Sequence, residues 1–111
     1  MAIHAKQDGD TTVISVSGRS DAVTAPEYRA TTRDLIESGA RSIVVDCEGL
    51  DYISSAGLGE LLAGAQFLAE KGGRLSVANV DGTVMAVFEM CGVDRMLPIR
   101  GSVADAIAAI A

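Results

Sequence analysis

The chain has 111 residues, 49% apolar and 22% charged, with a net charge of −6. That composition suits one globular domain that can bury a core without metal or disulfide, and it excludes disorder. Nine Lys and Arg are dispersed among fifteen Asp and Glu, aromatics make up 4% and Trp is absent, which argues against a nucleic-acid surface.

Residues 2–7 predict a short strand, and Asp8-Gly9-Asp10 a hairpin turn into a second strand over Thr11 to Ser17, ended by Gly18. The opening MAIHAKQDGD lacks the apolar stretch of a signal peptide, and no apolar run approaches the ~18 residues of a membrane span. Thr24 and Glu27 have the spacing of a capping box, with Pro26 tolerated in the first helical turn. Tyr28, Thr32, Leu35 and Ile36 then form the buried stripe of a helix stopped at Gly39. Arg29, Arg33, Asp34 and Glu37 make its solvated side, not a binding patch.

Ser42 to Cys47 reads as a central strand of near-continuous apolar type, closed by a turn at Glu48–Asp51. Ser54, Ser55, Ala56, Gly57, Leu58 and Gly59 follow. They open a helix with apolar residues at Leu58, Leu61, Leu62, Ala65 and Leu68. The serine pair thus falls where strand gives way to helix, beside free N–H groups at the positive end of the helix dipole.

Lys71-Gly72-Gly73-Arg74 closes that helix, and Leu75 to Val80 predicts the next strand. Asp81 caps a third helix with the stripe Val84, Val87, Phe88 and Cys91, ended by Gly92. Leu97-Pro98-Ile99 is read as an edge strand, because proline cannot donate to a ladder. Ser102 with Asp105 caps a last helix carrying Val103, Ile107 and Ile110. The order β-β-α-β-α-β-α-β-α predicts an α/β fold with a mixed, mostly parallel sheet of four to five strands and about four helices, as a single domain over residues 1–111.

The chemistry is sparse. His4, the only histidine, is expected exposed and far from the serines, so a Ser-His-Asp arrangement lacks its base. Cys47 and Cys91 have no metal spacing and are expected as buried free thiols. Asp46, Glu48 and Asp51 are expected as a solvated acidic rim with no metal. Ser55-Ala-Gly-Leu-Gly lacks the Lys of a phosphate-cradling loop, so Gly57 and Gly59 are expected to serve helix–sheet packing or the turn. No catalytic residue and no cofactor are assigned. Spacing alone favours the plainest role for the serines, a helix cap.

Asp46-x-x-x-Leu50-x-x-Ile53-Ser54-Ser55-Ala56-Gly57-Leu58 resembles the signature of the STAS domains, and the whole chain is similar to the stand-alone bacterial anti-sigma factor antagonists. Gly18-x-x-Asp21, Gly72-Gly73 and Phe88-x-x-Cys-Gly92 fall where that family has similar residues. Three positions depart from its pattern: Ser54 replaces an Asp, Ala56 a Ser or Thr, and Ser20 an apolar residue. The resemblance implies the STAS fold and a regulatory protein that is not an enzyme. It implies phosphorylation at Ser55, with Ser54 the lesser alternative. Asp21, Ser54, Ser55, Ala56, Gly57, Leu58 and Glu60 would then face the partner. The implied partners are an anti-sigma factor that is itself a serine kinase, and a serine phosphatase. The setting is cytoplasmic, with no nucleic acid or membrane engaged, and the state a monomer or weak dimer. One alternative is a STAS subunit of a membrane transport or lipid-trafficking complex; another, from the glycine-containing turn, is a small-ligand or nucleotide-binding module.

Overall fold

The structure, a computed structural model, describes all residues from Met1 to Ala111. Five strands, β1 (Ala2–Asp8), β2 (Thr11–Ser20), β3 (Ser42–Ile53), β4 (Arg74–Ala78) and β5 (Ile99–Arg100), lie side by side in chain order. Only β1 runs antiparallel to its neighbour, as a hairpin with Gly9 at φ +59° in the turn. The parallel pairs need crossovers, supplied by α1 (Ala25–Glu37), α2 (Ser55–Glu70) and α3 (Gly82–Met90), the last followed by a 3₁₀ turn. A fourth helix, α4 (Val103–Ala109), ends the chain.

The alternation of strand side chains divides the core. Ile14, Val16, Ile43, Val45, Leu75 and Val77 meet Tyr28 and Ile36 of α1, Leu58, Leu61 and Leu68 of α2, and Val84 and Phe88 of α3. On the reverse face a smaller cluster, Val13, Val44 and Ala78, packs on Ala106 and Ile110. Ile43, Val44 and Val45 are buried in succession because β3 is covered on both faces at that level.

Four local expectations are corrected. β2 does not stop at Gly18 but continues to Ser20, and β3 runs through Glu48–Asp51 to Ile53. Register shifts between Ser15 and Ser17 and between Gly18 and Arg19 keep the two strands paired there, Ser17 opposite Gly49. Pairing wins because Gly49 has no side chain; a Cβ there would lie 2.7 Å from that of Ser17. The capping box also fails, since Thr24 makes no capping bond to α1. Asp46 is half-buried rather than solvated: its Oδ1 accepts from Asn79 Nδ2 at 2.9 Å and from the Glu48 amide at 3.2 Å.

The fourth correction concerns the cysteines. Cys47 is buried as expected, but Cys91 is exposed, because α3 ends two residues after Phe88 and leaves its cap outside the core. Burial, with the Asp46 charge adding to it, pushes the Cys47 thiol up to about 12. A thiol reagent is therefore expected to modify one sulfhydryl per native chain at neutral pH, at Cys91, and Cys47 only on unfolding. Peptide mapping after a short exposure checks this; early labelling of Cys47 would contradict the packing.

Candidate functional site

The C-terminal ends of β2 and β3 emerge together, Ser20 paired with Ile53. In open α/β sheets this edge is where sites are built. The Ser54 amide donates to the Ser20 carbonyl at 2.8 Å, which fastens the turn before α2 to the end of β2. Ser54 has extended backbone (φ −95°, ψ 175°) and is the N-cap, its Oγ accepting a long 3.4 Å bond from the Gly57 amide. The first helical bond runs from the Leu58 amide to the Ser54 carbonyl, 2.9 Å. Capping is thus the work of Ser54. Ser55, the first helical residue, is exposed at the head of α2, where the first-turn N–H groups lack helical partners.

The other expected contact residues are placed unequally. Ala56 and Glu60 are partly exposed, whereas Leu58 is 7% exposed and belongs to the core, and Gly57 is buried against Ser20. Leu58 and Gly57 hold the turn from behind. The Glu60 carboxylate pairs with Arg29, so one member of the presumed solvated face of α1 instead bridges α1 and α2. The Arg33 guanidinium lies 4.5 Å from the Phe67 ring on the same seam.

Asp21 shapes the neighbouring loop. Its Oδ1 accepts from the Val23 and Thr24 amides at 3.1 and 3.2 Å, an Asx turn. Thr24 Oγ1 in turn accepts from the Asp21 amide and donates to the Arg19 carbonyl, both at 2.9 Å, which is why it is not free to cap α1. These bonds, the Thr24 amide foremost, hold the Asp21 carboxyl below its ordinary 3.8. A carboxylate lowered in the folded state contributes stability that is full above the unfolded value and fades as pH falls through the folded one. Asp21→Asn is therefore expected to unfold at lower urea than the parent at pH 7, with the gap closing below pH 3.8. Urea titrations at several pH values check this; a gap unchanged into acid would remove the charge from the account.

Sequence reasoning missed the surroundings of the turn. Val23 is 87% exposed at the tip of the Asp21 loop, and Tyr52 is 40% exposed at the end of β3. Arg19 stacks over Tyr52, 4.1 Å from its ring centre, and lies 3.7 Å from Asp21 Oδ2. The usable signal was an apolar residue, Val23, just before the expected cap Thr24, and an aromatic, Tyr52, just after the expected turn Glu48–Asp51. The Asp21 loop and the paired ends of β2 and β3 thus expose two apolar side chains and one cation.

The STAS domain model matches residues 2–106, and the chain belongs to that family. Its relatives include BtrV of Bordetella bronchiseptica, 32% identical over 97 residues that span 87% of this chain and 84% of BtrV. An anti-sigma factor antagonist from Mycobacterium paratuberculosis shares the fold at a TM-score of 0.89, with 24% identity over 98% of this chain and 92% of that one. The anti-sigma factor antagonist SpoIIAA, solved unphosphorylated, is 26% identical with a TM-score of 0.70 over 89% and 86% of the two chains. The phosphorylated form, from Bacillus, is 25% identical with a TM-score of 0.76 over 99% and 100%. These chains are of similar length to this one. No helix here is long and apolar enough to cross a membrane.

Proposed function

We propose that this anti-sigma factor antagonist is a partner switch controlled at Ser55. The unmodified chain docks on an anti-sigma factor and frees the sigma factor; the anti-sigma factor, itself a serine kinase, phosphorylates Ser55 and so ends the contact; a serine phosphatase restores it. The carrying observation is the division of labour between the two serines, Ser54 bound as the cap and Ser55 exposed at the head of α2. Asp21, Ala56 and Glu60 are the docking residues of this reading, each at least partly exposed. Cytoplasmic action follows from such partners. A permanent subunit of a membrane transport or lipid-trafficking complex is the weaker reading, since the relatives above are small separate chains.

A phosphoryl group adds about −1.5 to −2 charges, yet at a helix N-terminus it meets free amides and the positive end of the dipole. The fold tolerates it. A partner must strip its water and accept its charge, so the switch acts through lost affinity with little change of shape. Intact-mass and peptide mapping of the chain purified from its host under two growth conditions tests this. One phosphoryl group on Ser55 that changes with condition supports the switch; an unmodified chain in every condition, still bound to a stable partner, overturns it.

A further inference from the structure

Beneath the turn that carries the two serines is a cavity of about 20 Å³, lined mainly by apolar side chains. Three of its lining residues carry hydrogen-bonding side chains: Ser20 at the end of β2, Tyr28 on α1 and Cys47 on β3. Tyr28 is 5% exposed, and its hydroxyl is the one buried side-chain oxygen without a hydrogen-bond partner. The Thr32 hydroxyl gives its proton to the Tyr28 carbonyl at 2.7 Å and stands outside hydrogen-bonding geometry with the phenol. Ser20 is 8% exposed and brings a second hydroxyl, packed against Gly57. Burial raises the Tyr28 hydroxyl far above its ordinary range, so it stays protonated and able to donate. A polar space of ~10–15 Å³ suffices for one water when two to four polar groups surround it, and native proteins rarely leave a buried hydroxyl unpaired.

We propose that this cavity is a hydration site: one water accepts from the Tyr28 hydroxyl and is shared with Ser20 and the Cys47 thiol. It ties α1 and β3 to the seat of the Ser54–Ser55 turn. The Ser20 hydroxyl, an unusual choice where an apolar residue would close the space, is its polar wall. Nothing in this depends on Ser55 being phosphorylated.

A crystal structure at high resolution, together with a double-mutant cycle on Tyr28→Phe and Ser20→Ala by urea unfolding, tests it. The expected results are a single ordered water in the cavity and a folding equilibrium constant about tenfold lower for Y28F. The double variant should lose clearly less than the product of the two single losses, because either change alone already breaks the bridge. A dry cavity, a Y28F chain as stable as the parent or more so, or two effects that simply multiply would each overturn the proposal.

Discussion

Ser55→Ala is expected to abolish phosphoryl transfer from the cognate kinase, while Ser54→Ala leaves it and instead costs about 1 kcal/mol of stability as the cap of α2 is lost. The two effects separate because Ser54 Oγ is bound to the Gly57 amide whereas Ser55 is exposed. Ser55→Asp goes further. A carboxylate in the first turn of a helix is favoured by the dipole by about 0.3–1 kcal/mol, so the variant should be as stable as the parent or slightly more. Its affinity for the anti-sigma partner should nevertheless fall about 100-fold, or roughly 2.8 kcal/mol at 1.4 per factor of ten. The opposite signs matter, since unfolding would move stability and binding together. Titration calorimetry beside urea unfolding reads both. Full affinity for S55D, or continued labelling of S55A, would remove Ser55 from the mechanism.

Gly57→Ala is expected to destabilise by about 2–3 kcal/mol, as overpacking does, although alanine is the better helix former. A Cβ at Gly57 would lie 2.2 Å from Ser20 Oγ, 2.6 Å from the Ser20 carbonyl oxygen and 2.9 Å from its carbon. Backbone cannot yield as a side-chain tip can, so the head of α2 must lift from β2 and strain the Ser54–Ser20 hydrogen bond. Gly59, two residues on, has nothing within 4 Å of such a Cβ. Gly59→Ala should therefore stabilise by about 0.5–1 kcal/mol. Urea unfolding of the two variants side by side decides the matter; equal effects would mean that the glycines act by helix propensity alone. Both glycines have helical backbone, so the tight turn that glycine often serves is not their purpose here.

The order of strands and helices was legible because each helical stripe and each apolar run survives in the chain unmixed. What misled was local chemistry that tertiary contacts override. Glu48–Asp51 has turn residues, yet its backbone groups find a ladder partner in the end of β2 and stay extended. Thr24 and Glu27 have capping-box spacing, but the hydroxyl is claimed by the Asp21 loop, a competition that sequence spacing does not express. Cys91 shared the period of Val84 and Phe88, and periodicity cannot say where a helix outruns the sheet it covers. At the site, motif position singled out Ser55, whereas the capping bond of Ser54 and the exposure of Val23 and Tyr52 needed coordinates.

The unequal cores have a consequence for how the molecule comes apart. The seven residues of α4 sit on a cluster of five buried residues, assisted by the buried bond from the Ser76 hydroxyl to the Ala106 carbonyl, whereas α1, α2 and α3 share seventeen. Opening free energy follows buried apolar contact, so α4 belongs to the low-stability end of the molecule. Its amides will exchange hydrogen through a local excursion long before those of β3 and α2, which wait for global unfolding. The head of α2 and α4 lie on opposite faces of the sheet, so the C-terminus can breathe without loosening the surface on which a partner lands.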